Sequence, residues 1–256
     1  MEQSGNQYSS TPTAHDSNLP LISIIIPARN DAKALRLTLD CLERLRDIET
    51  AEIIVAASGD AEETKAAVGG RGRIVWPAGS TRSALMNAGA AVARGEVFLF
   101  LHADSFPPRE AVNEILRTLQ SRQILGGAFE HCFREPVLSL RIISCLNRVR
   151  YRFTRNFYGD QGIFVRANVF RSAGGFRELF MEDLDFSQRL KRLGRTVLIP
   201  LPLITSGRRF LSCGPLRTFS LILWLLFLHS LRFDTQRYAT RWLTDGLSSL
   251  KTSGTE

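Results

Sequence analysis

Residues Gly95–Asp104 form an apolar run that ends in two side chains able to hold a metal ion, His102 and Asp104, one residue apart. In an extended backbone alternate residues point to the same side, so a strand here delivers an imidazole and a carboxylate together at its carboxyl end. Open α/β sheets bind their ligands at that end. A plainer account has Asp104 capping a helix that begins near Pro107-Pro108, where an aspartate is common. Two further groups have chemical potential. Glu182-Asp183-Leu184-Asp185 is an acidic cluster opening a helix, and Arg208-Arg209 is a pair of guanidinium groups of the kind that suits phosphate oxygens.

Such groups need a scaffold, and the hydrophobic pattern supplies one. Leu21–Ile26 is an apolar β-branched run that Pro27 is expected to end, followed by an amphipathic segment from Asp31 to about Arg46. Strands are expected at Glu52–Ala57, Arg73–Trp76 and Glu96–Leu101, separated by helices near Ala61–Val68 and Ser80–Arg94. This β-α order implies a parallel sheet with helices on both faces, because each parallel crossover needs a helix. Past Asp104 the reading is a helix at Pro108–Ser121, a strand at Gly127–Phe133, a basic helix at Val137–Phe153 and a strand at Gly162–Val165. The acidic-cluster helix, running to about Leu193, and a strand at Thr196–Ile199 complete it.

With 256 residues, 44% of them hydrophobic, the chain can bury a full core. Its charge is divided: residues 1–129 carry 13 basic and 15 acidic side chains, residues 130–256 carry 20 and 10. The second half therefore faces something anionic or a membrane surface. Nucleic acid is not expected, since no aromatic-basic module accompanies the charge. Four cysteines without close pairing argue against a zinc site or a disulfide framework and fit a reducing compartment, the cytoplasm. Residues 1–18 are polar and are read as a disordered tail, residues 19–212 as the main domain, and residues 213–256 as an apolar and basic helical segment packed on that domain or on the membrane. The 14 uncharged residues between Arg217 and Arg232 fall short of the roughly 20 that span a bilayer.

Ile24–Asp31, Met86-Asn87-Ala88-Gly89-Ala90, the strand ending in His102-Ala103-Asp104, and Met181-Glu182-Asp183 together resemble the family 2 glycosyltransferases. Tyr158-Gly159-Asp160-Gln161 and Ser206–Phe210 narrow the resemblance to a bacterial branch of small, single-domain members. The resemblance implies a GT-A fold: an open, mainly parallel but mixed α/β sheet flanked by helices, with C-terminal helices. It also implies transfer of a sugar from a UDP- or GDP-type donor to an acceptor hydroxyl, one candidate being lipid-linked, by inverting displacement. Charge building on the leaving diphosphate calls for a divalent cation, Mn2+ or Mg2+. Asp104 is its expected ligand, and His102 either joins it or contacts the sugar.

By the same resemblance Asp183 is the base that takes the acceptor proton; otherwise Glu182 and Asp183 merely interact with the helix dipole, worth about 0.3–1 kcal/mol. Pro27, Ala28, Arg29, Asn30, Arg82, Asn87 and Ala103 are expected on the nucleotide-sugar side. Asp160, Gln161, Glu182, Arg208 and Arg209 are expected on the acceptor or diphosphate side. Ala57 stands where the family usually places a base-binding aspartate, with Asp60 three residues later, which leaves the nucleobase open. It also leaves open a catalytically impaired nucleotide-sugar-binding or scaffold protein. A sugar-1-phosphate nucleotidyltransferase would want a Gly-rich loop after the first strand, and Pro27–Asp31 is not one.

On the acceptor side, Arg141, Arg148, Arg152 and Arg155 share one helical face while Ile142, Leu146, Val149 and Phe153 fall on another. Such a helix is read as lying on an anionic bilayer, gripping an acceptor phosphate, or presenting an ordinary solvated face.

Overall fold

The computed structural model describes residues 20–230. The tail expected at residues 1–18 and the basic residues Arg232, Arg237 and Arg241 lie outside the described residues.

The first half alternates as expected. Strand β1 (Ile22–Arg29) leads to α1 (Ala32–Leu42), β2 (Ala51–Ser58), α2 (Ala61–Val68), β3 (Arg73–Val75), α3 (Arg82–Val92) and β4 (Val97–Phe100). Each of the three helices starts on a side-chain cap that accepts a backbone N–H: Asp31 from Ala34, Asp60 from Glu63 and Thr81 from Ala84. The second half comprises β5 (Ser105–Phe106), α4 (Ala111–Leu119), β6 (Ile124–Phe133), α5 (Leu138–Thr154), β7 (Ile163–Arg166), α6 (Ala167–Ser172), α7 (Glu182–Leu193), β8 (Arg195–Thr205), α8 (Arg208–Cys213) and α9 (Pro215–Ser230).

One sheet joins all eight strands in the order β3-β2-β1-β4-β7-β6-β8-β5. The first four are parallel; β7 then runs antiparallel between β4 and β6, and β8 lies parallel to β6. The reversed strand has a consequence for the site. Its amino-terminal end, preceded by Tyr158–Gln161, lies at the same sheet edge as the carboxyl ends of β1, β4, β6 and β8.

Period-two alternation divides β1 between two cores. Ile22, Ile24 and Ile26 pack with Leu35, Leu39 and Leu42 of α1 and Val112 and Ile115 of α4. Ile25 packs on the other face with Met86 and Ala90 of α3. That second core also holds the rings of Phe98, Phe100, Phe170, Phe176 and Phe186, with neighbouring ring centroids 4.7–6.2 Å apart.

Two strands run three or more residues past their expected carboxyl ends, both through prolines. Strand β1 continues through Pro27 because the Ile25 carbonyl accepts from Leu101 N on the β4 side. Pro27, two residues on, faces that same side where β4 has already ended, so its missing N–H costs no ladder bond. Strand β8 continues past Ile199 to Thr205 because pairing with β6 jumps from Phe129↔Ile199 to Glu130↔Pro202. This bulge takes up Pro200 and Leu201.

Candidate active site

Arg82, the first residue of α3, reaches across the sheet edge to three partners. Its Nε pairs with Glu182, its Nη1 lies 2.9 Å from His102 Nε2, and its Nη2 lies 3.6 Å from Asp183 Oδ2. Burial by itself would lower its pKa, but the carboxylates of Glu182 and Asp183 raise it above the ordinary value. A guanidinium only donates, so His102 Nε2 accepts and the ring carries its proton on Nδ1. Burial, then the charges of Arg82 and His131, lower the His102 pKa from 6.5 to about 3, so the ring is neutral. Nε2 of His102 is thus committed to Arg82.

Asp183 is buried at the start of α7. Its Oδ2 accepts from Gly159 N at 2.7 Å and its Oδ1 from Leu184 N at 2.8 Å. Met181, the residue before α7, holds a left-handed φ of 67°, a conformation uncommon for a residue with a side chain. Gly159 sits between the two halves of the site: a Cβ there would come within 2.7 Å of His102 Nε2 and 3.2 Å of Asp183 Oδ2. Among the expected residues, His102, Glu182 and Asp183 therefore converge on Arg82.

Asp104 lies across the edge, half-buried, where Arg208 bridges two carboxylates: Arg208 Nη2 is 3.1 Å from Asp31 Oδ2 and 3.9 Å from Asp104 Oδ2. Burial pushes the Asp104 carboxyl up and the charge of Asp31 adds to this, against the pull of Arg208. Arg208 is held by Ser206 Oγ, and the loop before it by Glu135, whose carboxylate accepts from Gly207 N at 2.7 Å. Arg209 follows on α8, half-buried.

Among the described residues no three His, Cys, Asp or Glu side chains cluster as a metal cage. A protein cage is not what a cation on a diphosphate needs, since such ions take one or two carboxylates and complete their shell with phosphate oxygens and water. Asp104, already beside one positive charge in Arg208, fits that arrangement.

Several of the expected site residues make bonds within the fold. Asn87 spends its amide on the backbone of Phe176, donating to its carbonyl at 2.7 Å and accepting from its N–H at 2.9 Å, so it clamps the loop before α7. Gln161 accepts from Tyr158 N and donates to Phe129 O, shaping its own turn. Glu182 is buried on Arg82. Asn30, at a left-handed φ of 49°, accepts from Asp60 N at 3.2 Å. Asp60 in turn caps α2, and Ala57 is buried in β2 beside Ala28. Ala103 accepts from Thr38 at 2.7 Å and ties the end of β4 to α1. Pro27 is half-buried and Arg29 exposed at the end of β1, and the Asp160 carboxylate is partly exposed at the reversed-strand turn.

Two residues at this edge were not singled out by sequence. His131 of β6 is almost wholly buried, with Nε2 2.7 Å from Thr205 Oγ1 and 3.6 Å from Asp160 Oδ2. Arg150 of α5 lies over the Tyr158 ring at 4.1 Å, donates to Asn156 O, and keeps Nε and Nη2 buried without a hydrogen-bond partner. Burial pushes the Tyr158 hydroxyl up to about 12. A lone histidine in a strand and one arginine in an arginine-rich helix carry no spacing signal.

The family model described as Glycosyl transferase family 2 matches residues 23–182. No curated protein matches the chain. Among solved structures, the mannosyltransferase PcManGT from Pyrobaculum calidifontis, in complex with GDP-Man and Mn2+, is similar with a TM-score of 0.66 and 17% identity. That match covers 93% of this chain and 76% of that one. S. aureus TarS 1-349 is similar with a TM-score of 0.58 and 15% identity over 75% of this chain and 62% of that one. The same fragment in complex with UDP-GlcNAc gives 0.58 and 15% over 72% and 58%. The chain thus spans less than two thirds of the TarS fragment, and the likeness to both proteins is one of fold.

Proposed function

The chain belongs to glycosyl transferase family 2 and is a glycosyltransferase; from that premise we propose that it moves a sugar from a nucleoside diphosphate to an acceptor hydroxyl by direct displacement, with Asp183 as base. The observation that carries this reading is the Arg82 junction, which puts a buried carboxylate one guanidinium away from the end of β4.

Asp183 Oδ2 keeps its place through Gly159 N–H and Arg82. Two carboxylate oxygens offer about four acceptor positions, so a lone pair remains for an acceptor hydroxyl. As the acceptor oxygen bonds to the anomeric carbon, its proton passes to Asp183, while the bond from that carbon to the diphosphate breaks and the configuration inverts. The negative charge left on the diphosphate meets Arg82 on one side and Arg208 on the other. A divalent cation, Mn2+ or Mg2+, held by Asp104 would supply Lewis-acid neutralisation of the same charge. The complexes of the similar proteins with GDP-Man and with UDP-GlcNAc support a donor of the UDP or GDP type. The basic second half supports an acceptor borne on the inner face of a membrane.

Ala57 favours the alternative of binding without turnover, and one set of variants separates the two. With UDP- and GDP-sugars and Mn2+, Asp183→Asn should lower donor turnover by about 10²–10⁴-fold while keeping the donor-induced rise in melting temperature. Asp104→Ala should instead lose the Mn2+-dependent part of that rise. Unchanged turnover in Asp183→Asn would exclude it as the base, and donor binding without any turnover in the wild type would favour the scaffold.

A further inference from the structure

Helix α5 carries five large apolar residues on the outside of the molecule. Leu138, Ile142, Leu146, Val149 and Phe153 are all exposed, Leu138 by 70% and Phe153 by 85%. At 3.6 residues per turn they fall within about 80° of the helix circumference, a continuous stripe along a helix about 25 Å long. Arg141, Arg148 and Arg152 run beside it on the same helix and Arg155 caps its end. Between Glu135 and Asp160 the chain has no acidic residue.

Helix α9 packs against α5 and repeats the pattern: Leu225 and Thr218 are buried, whereas Leu216, Leu223, Trp224 and Phe227 are exposed on one face, Leu216 by 73% and Phe227 by 60%. No acidic residue occurs from Phe186 to Ser230. An apolar stripe of this extent, bordered by cations, is unusual on a surface facing water alone.

We infer that the outer face of α5 and α9 docks the protein on an anionic lipid bilayer. Two features of this face favour that occupant. A second copy of the chain laid on the same face would bring the arginine row of α5 against the same row of its partner, since a two-fold contact pairs a patch with itself. A bilayer carrying anionic headgroups meets both features at once, the apolar side chains entering the headgroup–acyl boundary and the arginines meeting the phosphates. Among the described residues no helix is long and apolar enough to cross a membrane.

Docking also has a bearing on the reaction. The inner side of α5 lays Arg150 on Tyr158, the residue before Gly159, so the helix that meets the lipid borders the turn holding Asp183. An acceptor carried in the bilayer would then enter beside its base; this clause rests on the transferase reading, whereas the docking itself does not.

The test is flotation of the full chain with phosphatidylcholine vesicles, with and without phosphatidylglycerol, at low and high salt. The wild type should float with the phosphatidylglycerol vesicles, much less with phosphatidylcholine alone, and detach as salt rises. Leu138→Ser with Phe153→Ser, and separately Arg141→Glu with Arg152→Glu, should each weaken partitioning at least tenfold while keeping the wild-type melting temperature and donor-induced thermal shift. Failure of the wild type to float overturns the inference, as does an apolar variant that floats equally well. A wild-type dimer in ultracentrifugation that Phe153→Ser dissociates would assign the face to a second copy and overturn it too. Loss of donor-induced shifts in the wild type, with flotation intact, counts against the transferase reading alone.

Discussion

Gly159 is the position where the site tolerates no side chain. The space a methyl group would need there is filled by His102 Nε2 at 2.7 Å and, less tightly, by Asp183 Oδ2 at 3.2 Å, so Gly159→Ala must displace the His102 ring and press on the proposed base. A displacement of about 1 Å at a reacting group costs on the order of 100-fold in rate. We expect Gly159→Ala to lose turnover by about that factor with little change in melting temperature; wild-type turnover would mean that Asp183 is not the reacting carboxylate. That Arg82 and Asp183 would lie at helix starts and Asp104 just past a strand was legible because strand ends and helix starts are readable in the sequence. Asn87 and Gln161 were legible as positions but not as roles. Their amides bond to backbone 89 and 32 residues away, and no local pattern announces such a partner. His131 was invisible for a similar reason, since its contacts with Thr205 and Asp160 join three separate strand ends.

At the level of elements, α3 matters because it carries Arg82, and two features fix where it lies. Gly89 lets it approach β1 so closely that a Cβ would come within 2.5 Å of Ile25 Cγ2, and Asn87 ties it to the loop before α7. Asn87→Ala would strand a backbone N–H and a carbonyl of Phe176, a loss of about 1–3 kcal/mol. Urea denaturation should show that loss, and donor affinity measured on the folded protein should stay near the wild type; a large drop in affinity at unchanged stability would restore Asn87 to the nucleotide side. Helices and strands of the first half were legible from amphipathic stretches and apolar runs. The ends of β1 and β8 were not, because a proline's effect depends on which neighbour its nitrogen faces, and that is a property of the sheet. The reversed direction of β7 was equally hidden, since four residues of apolar strand read the same both ways.

For the molecule as a whole, the neutral imidazole of His102 ties stability to pH. The unfolded chain takes up a proton near pH 6.5 that the folded chain refuses until about pH 3. The unfolded state therefore binds more protons across that window, and stability falls as pH falls through it. Urea midpoints should decline on acidification from pH 6.5 toward pH 3, and His102→Gln should flatten that part of the profile; an unaltered profile would mean the ring is not held neutral. The division of charge between the halves and the arginine and apolar faces of α5 were legible in the sequence, whereas the packing of α9 beside α5 required the fold.

The Arg82 junction has an evolutionary corollary. Replacing the arginine alone would leave two acidic groups and a proton-refusing ring facing one another without their common counter-charge, and replacing any partner alone would leave the cation poorly matched. Positions 82, 102, 182 and 183 should therefore vary as a set among related sequences, with any lineage that alters one having altered the others.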